Sequence, residues 1–357
     1  MLRSSTCLFA LALASVVSAQ QHLVVPSGFA NQDGNGRELV PGFVGNGREQ
    51  LLVGASHLSA MVGKTIQAIE FRRHNFDAAF VGAAANVSVT MSVSPQAPLQ
   101  TSPVFAQNTG TNPVQVFQGQ VTAPSSPQPA ANATIGWTND NIVRVVFQTP
   151  FLYQGGTLCI DIAGVEVPQA PHARWTADAA VVPSDATAVD LGPGTGPHAN
   201  QLGQWSFVSS SELSAGSHAQ MMAVGAPYTF CVAMLGHASP FPLPLNALGI
   251  GAPGAMCYLD EIYLSQLTVL TPSPVPGLVL GVGYWDLWLP NQPWILGAEL
   301  ASQWLELPGW NVSNGIRFTV ATAMPTLDMA MVTGGIADPE GTRTVNSAHI
   351  VRFEYSN

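Results

Sequence analysis

The sequence predicts an all-β protein of two β-sandwich, jelly-roll-like domains behind a cleaved signal peptide, and three observations carry that expectation. Short stretches alternate apolar and polar residues with a period of two, the pattern of a half-buried strand. Thirty-four Gly and 28 Pro punctuate the chain, which favours many short strands over long helices. Charged residues make up only 9% of the chain while hydrophobic residues reach 47%, against about 25% charged in ordinary soluble proteins. A surface covered mainly by Ser, Thr, Asn, Gln and backbone suits an extracellular β-protein.

In order, residues 1–19 hold a basic residue at Arg3, an apolar run from Cys7 to Val17 and the small triplet Val17-Ser18-Ala19. These are the three parts of a secretory signal. The run is shorter than the roughly 20 residues needed to span a bilayer, and no later segment is apolar enough to hold the chain in a membrane. Residues 20–226 form the first expected domain. Thr65–Arg72, Asn86–Ser94, Asn141–Gln148 and Thr157–Ala163 alternate; in Asn86–Ser94 the residues Val87, Val89, Met91 and Val93 share one face. Asp33-Gly34-Asn35-Gly36 suits a hairpin turn with positive φ. Between His172 and Gln220 periodicity gives way to Gly/Pro-rich and Ser-rich loops.

Residues 227–357 form the second expected domain. Strands are predicted at Phe230–Leu235, Tyr258–Leu264, Val279–Val282, Gly315–Ala321, Leu327–Val332 and His349–Tyr355. Ala298–Leu307 is ambiguous, because Ala301, Trp304 and Leu305 fall at helical spacing; its setting favours a strand. Three cysteines follow the signal. In an oxidising compartment Cys231 and Cys257 are the natural disulfide, flanking a Pro-rich loop whose closure would stabilise the fold by roughly 3 kcal/mol. Pairings with Cys159 stay open, and Cys159 otherwise reads as a small buried side chain.

The formal charge of −10 and the single lysine, Lys64, exclude a clustered cationic surface and with it nucleic acid as a partner. No cofactor motif occurs. Ser56 and Ser217 sit beside His57 and His218, but neither lies in a complete G-x-S-x-G turn, so no catalytic residue is assigned. His172, His198, His218 and His237 are too dispersed for a metal centre and no H-E-x-x-H occurs. Asn31, Asp33 and Asn35 alternate like calcium ligands, yet Gly42 stands where an EF-hand needs its closing acid. Asp178, Asp185 and Asp190 are further oxygen donors without a motif. Hydrolysis of a polysaccharide would need two carboxylates about 5 to 10 Å apart; Asp260-Glu261 and Glu299 with Glu306 are the candidates.

The most informative constellation is aromatic. Trp285, Trp288, Trp294, Trp304 and Trp310, five of the eight tryptophans, fall in one stretch with Tyr284. Exposed indoles on a β-sandwich can stack on sugar rings, so Trp285, Trp288 and Trp294, with Asp286 and Asn291 (and Gln292) as hydrogen-bonding groups, are candidate ligand-binding residues. The plainer expectation is that these rings fill the core. Trp285 and Trp288 would point to opposite faces of a strand, so only one of them can share a platform with Trp294.

Several positions resemble a pattern of large families of secreted proteins from planctomycete-type bacteria that carry no assigned activity. They include Val25-Pro26, Gly34-Asn35, Arg48-Glu49-Gln50, Phe71-Arg72, Gly155-Gly156, Leu243-Pro244-Leu245, Gly251-Ala252-Pro253-Gly254 ahead of Cys257, and Ser313-Asn314-Gly315. Here Ala255-Met256 intervene before the cysteine, where the family often has Gly directly. The resemblance implies an all-β exported protein and supplies no catalytic residues. The functional expectation is a non-enzymatic structural or adhesive protein of the cell envelope or medium, with polysaccharide or other envelope proteins as partners. The alternatives are a carbohydrate-binding protein using residues 284–310, and a polysaccharide-degrading hydrolase.

Overall fold

The computed structural model describes residues 20–75, 79–130, 133–168, 175–182, 184–196, 206–208, 213–272, 280–307 and 309–357. The expected signal segment 1–19, the Ser209–Ser211 run, His172 and His198 lie outside them. The described chain is an all-β fold, with antiparallel strand pairing throughout, one short α-helix at Phe105–Asn108 and several single-turn 3-10 helices.

Two hydrophobic cores organise the strands. The first lies between a six-stranded and a four-stranded sheet. The six run in the order Thr342–Thr344, Met329–Gly334, Gly47–Val53, Thr157–Glu166, Ala83–Ser94 and Val114–Ala123. The four are Gln21–Val25, Val351–Ser356, Lys64–Arg72 and Ile142–Tyr153. Leu51, Ile69, Phe71, Val89, Met91, Ile160 and Phe353 meet between them. A three-stranded sheet of Gly36–Leu39, Thr176–Val181 and Ser347–His349 adds Ala177, Ala180 and Ala348 to the same core.

The second core lies between two further sheets. One joins Thr187–Gly192, Gly315–Thr319, Glu299–Leu307, Phe230–Pro244 and Met256–Val269, with Asn311–Val312 alongside. The other joins Ser206–Val208, His218–Gly225, Gly281–Trp288 and Thr271–Pro272. Trp304, Phe318, Leu235, Met221 and Trp285 fill the space between.

This division corrects the boundary expected near 226. Val351–Ser356 pairs with both Gln21–Val25 and Lys64–Arg72, and Met329–Gly334 pairs with Gly47–Val53. The end of the chain therefore completes the first core, while the strands Thr187–Gly192, Ser206–Val208 and His218–Gly225 already belong to the second. The alternation of Val351, Phe353 and Tyr355 marks a half-buried strand but carries no information about which sheet receives it. Its central place shields edges of two strands that would otherwise stand open.

Local departures from alternation have local causes. Val87, Val89 and Met91 face the core as expected, whereas Val93 is exposed and Ser92 is buried. The register against Val114–Ala123 skips Val116 of that partner strand between Val89 and Thr90, while pairing with Thr157–Glu166 stays regular. Val93 therefore keeps the parity of Val87–Met91, and it is the covering of the two faces that changes at the strand's end. Ser92 Oγ accepts a hydrogen bond from Gly110 N at 3.0 Å, and Leu99 packs on a small cluster of Leu52, Cys159, Ala330 and Val345. Cys159 is thus a buried thiol, and burial, with the Asp161 charge adding to it, pushes its pKa up to about 12.

Glu299–Leu307 is a strand. Its helical look arises because Ala301, Ser302, Gln303 and Trp304 are all buried: Trp304 points into the core, and Gln303 is covered from the other side. Gln303 Oε1 accepts from Tyr258 N at 3.0 Å, and its Nε2 donates to Met256 O at 2.8 Å and Ser313 O at 3.0 Å. Burial on both faces erases a period of two.

The Asp33–Gly36 segment is not a hairpin turn, because the strands on either side of it pair elsewhere. Gly34 N donates to both oxygens of Asp178, at 2.9 and 2.8 Å, and a Cβ at this position would collide with the Ala179 carbonyl. Glycine here permits a close backbone approach.

Candidate binding surface on the second core

Within Gly281–Trp288 the side chains of Tyr284, Asp286 and Trp288 face solvent and Trp285 faces the core. Trp285 is only 9% exposed, which removes it from the expected ligand-binding set; Trp304 is fully buried. Trp288 is 40% exposed, Trp294 is 71% exposed, and Trp310 also reaches the surface. Asn291 is half-buried and its Nδ2 donates to the Leu99 carbonyl, so that nitrogen is committed to the fold.

The neighbouring strand His218–Gly225 runs beside this row, with His218 buried and Gln220 and Met222 half-buried. Its register sets His218 opposite Trp288, Gln220 opposite Asp286 and Met222 opposite Tyr284. The His218 ring stacks on Trp288, with centroids 4.1 Å apart and planes within 4°. Gln220 Nε2 donates to Asp286 Oδ1 at 3.1 Å. Burial outweighs the Asp286 carboxylate, and His218 is held below its ordinary pKa. Arg343 arrives from the first core: its guanidinium carbon lies 5.6 Å from the Trp288 ring centroid. Its Nη1 donates to Thr101 O at 2.8 Å. No motif in the sequence marks His218 or Arg343, because they reach Trp288 from strands far away in the chain.

A second surface lies on the outer side of the other sheet. Cys231, Ala233 and Leu235 point into the core, so Phe230, Val232 and Met234 point out. Cross-strand register forms two apolar rows, Val269–Phe230–Leu307 and Leu267–Val232–Leu305. Phe230, Leu267 and Val269 are exposed and Val232, Leu305 and Leu307 are half-buried.

The same hairpin register overturns the expected disulfide. Cys231 lies opposite Thr268, whereas Cys257 lies opposite Leu243, twelve residues further along the strand. At roughly 3.3 Å per residue the two sulfurs are far beyond the 7 Å Cα separation a disulfide tolerates. All three described cysteines are free thiols.

The remaining candidates are distributed through the fold. Ser56 Oγ donates to Asp328 Oδ2 at 2.5 Å, and His57 Nε2 lies 2.8 Å from Leu327 O; both fasten a turn rather than each other. Asp33 accepts from Ile135 N and Asn75 Nδ2. Asp178 is paired with Arg72 at 2.6 Å in the buried interior. Asp185 accepts from Thr322 N and Oγ1, which lowers its pKa, and Asp190 accepts from Gly192 N. Among the described residues no three His, Cys, Asp or Glu side chains gather as metal ligands. Glu261 accepts from Tyr263 Oη at 3.0 Å. Glu299 and Glu306 sit seven residues apart on one strand, roughly 23 Å, with Glu299 facing Arg317 and Glu306 facing Asn311.

One buried group escaped sequence reasoning altogether. His349 Nε2 lies 3.0 Å from Glu49 Oε1, and Glu38 accepts from Ser347 Oγ at 2.6 Å beside them. Burial opposes a charged His349 ring, but the Glu49 charge and hydrogen bond, with Glu38 further off, hold its pKa above the ordinary range. Burial also raises Glu38. Glu38 and Glu49 border a cavity of about 200 Å³ shared with Val40, Pro41, Val44 and Gly45.

No family model matches the chain, and no curated protein matches it. Among solved structures, that of Broad Bean Stain Virus is similar at 13% identity over 97% of this chain and 96% of its own, with a TM-score of 0.14. That of infectious bursal disease virus Gt strain is 8% identical over 95% and 80%, with a TM-score of 0.16. Recombinant N-glycanase F is 10% identical over 89% and 99%, with a TM-score of 0.11. Likenesses at these scores carry no functional argument.

Proposed function

We propose that the protein is an exported, non-enzymatic structural or adhesive protein of the cell envelope or medium, acting by surface contact through its second core. The apolar face formed by Phe230, Val232, Leu267, Val269, Leu305 and Leu307 carries this reading. Contiguous exposed apolar surface is disfavoured on proteins that act alone and marks interaction sites. The wide separation of Glu299 from Glu306 weighs against the hydrolytic alternative. Retention of the chain from Gln20 onward on envelope material from the source organism tests it. The double variant Phe230→Lys, Leu267→Lys should fold with an unchanged thermal midpoint and lose most of its retention; full retention would refute the reading.

The row Tyr284, Asp286, Trp288 supports a second reading, glycan binding. Two aromatic faces with a carboxylate and an amide between them are suited to sugar rings and their hydroxyls.

A further inference from the structure

Arg343 contrasts with most of the described bridging arginines. Arg48, Arg72, Arg144, Arg317 and Arg352 each face a carboxylate. Arg343 has no ion-pair partner among the described residues, although its Nε is shut off from solvent and makes no hydrogen bond. Burial alone lowers its pKa, yet a guanidinium stays charged at neutral pH. A cation held partly out of water without a counter-charge is unfavourable unless something else supplies the anion.

Buried polar atoms without a hydrogen bond lie around it. His218 is 4% exposed and its Nε2 faces Asp286 Oδ1 at 3.1 Å, while Nδ1 makes no hydrogen bond. Ser217 Oγ and Asn291 Oδ1 are buried and unpartnered as well. These residues lie together. Ser217 O accepts from Leu289 N, Gly216 N donates to Pro290 O, and Asn291 and Arg343 hold the carbonyls of Leu99 and Thr101. Between them stands the partly exposed ring of Trp288, stacked on His218 and approached by Arg343.

We propose that Arg343, His218 and Trp288 form a site for the acidic substituent of a glycan, a uronate carboxylate or a sulfate ester, with the sugar ring against the indole. The inference rests on the glycan reading of the Tyr284–Trp288 face and adds the charge of the ligand. Arg343 supplies the counter-charge. A glycan is favoured over an acidic peptide because Tyr284 and Trp288 lie four residues apart on one face of a strand, with Asp286 between them and Gln220 opposite it. That is a ladder of rings and hydrogen-bonding groups rather than a cationic patch.

The test is affinity electrophoresis of the chain from Gln20 onward in gels containing polygalacturonate, dextran sulfate, unmodified dextran or polyglutamate, at several salt concentrations. Retardation by polygalacturonate or dextran sulfate, weakening with salt and absent with dextran, is expected; the two acidic polymers distinguish carboxylate from sulfate. Arg343→Gln should weaken it about tenfold or more, the scale of one charged hydrogen bond, and Arg343→Lys should keep part of it. Dextran binding that Arg343→Gln leaves intact would overturn the acidic site and keep the aromatic one. Absence of binding to every glycan would overturn both. Preference for polyglutamate would overturn the glycan assignment. Should Arg343→Gln fail to fold, Arg343→Lys and the salt dependence of the unaltered chain decide in the same way.

Discussion

The two cores differ in where their ion pairs lie. In the first, most charges are buried and paired, Arg343 excepted: Arg72 meets Asp178 with both side chains about 1% exposed. Glu70 holds Arg144 at 3.1 Å and also Arg352, and Glu354 takes the other arm of Arg144 at 2.6 Å. His349 faces Glu49. In the second, the ion pairs among described residues reach the surface; buried polar atoms without a hydrogen bond occur in both, Trp175 Nε1 and His349 Nδ1 in the first and Ser217 Oγ and His218 Nδ1 in the second. The exposed indoles and the exposed apolar rows Val269–Phe230–Leu307 and Leu267–Val232–Leu305 are in the second. The contrast identifies the first core as a locked frame and the second as the part that presents surface.

Breaking the frame should cost most. Arg72→Met leaves Asp178 buried without its cation and takes a donor from the Gln32 carbonyl; a loss of about 3–5 kcal/mol is expected, measured by urea unfolding at pH 7. Trp304→Ala, in the second core, should cost about 3 kcal/mol through the cavity it leaves. If the cores unfold separately, the two variants will shift different transitions in the same experiment.

Acidity gives a subtler separation. His349 is held above its unfolded pKa, so its stabilising share is complete below about pH 6.5 and fades as pH rises through the higher folded value. His218 is held below its unfolded pKa, so its share is complete above about pH 6.5 and fades as pH falls. Unfolding between pH 5 and 8 should therefore show opposite slopes removed by His349→Gln and by His218→Gln. Slopes of the same sign would contradict the assigned environments. The smallest effect expected is on Trp288→Ala, within about 1 kcal/mol of the parent, because its ring is partly solvated.

Much of the strand map was legible because alternation is a local property. Thr65–Arg72 and Thr157–Ala163 lie within observed strands, the expected His349–Tyr355 is divided at Ile350 between Ser347–His349 and Val351–Ser356, and the opposite orientations of Trp285 and Trp288 followed from parity alone. What escaped depends on long-range pairing. Nothing near Val351 states that it will pair with Phe71, so the return of the chain to the first core was hidden. Cys231 and Cys257 looked close because the loop between them is Pro-rich, yet that segment is a long hairpin whose register carries them apart. Arg343 sits in a three-residue strand without a motif, and only packing brings it to Trp288.

The most direct test compares surface variants of the two cores in one retention assay on envelope material. Trp288→Ala and the Phe230→Lys, Leu267→Lys pair alter the second core; Val81→Lys and Leu152→Lys alter exposed apolar positions of the first. Loss confined to the second-core variants is the predicted result. Loss caused by Val81→Lys or Leu152→Lys, with the second-core variants retained, would contradict the account.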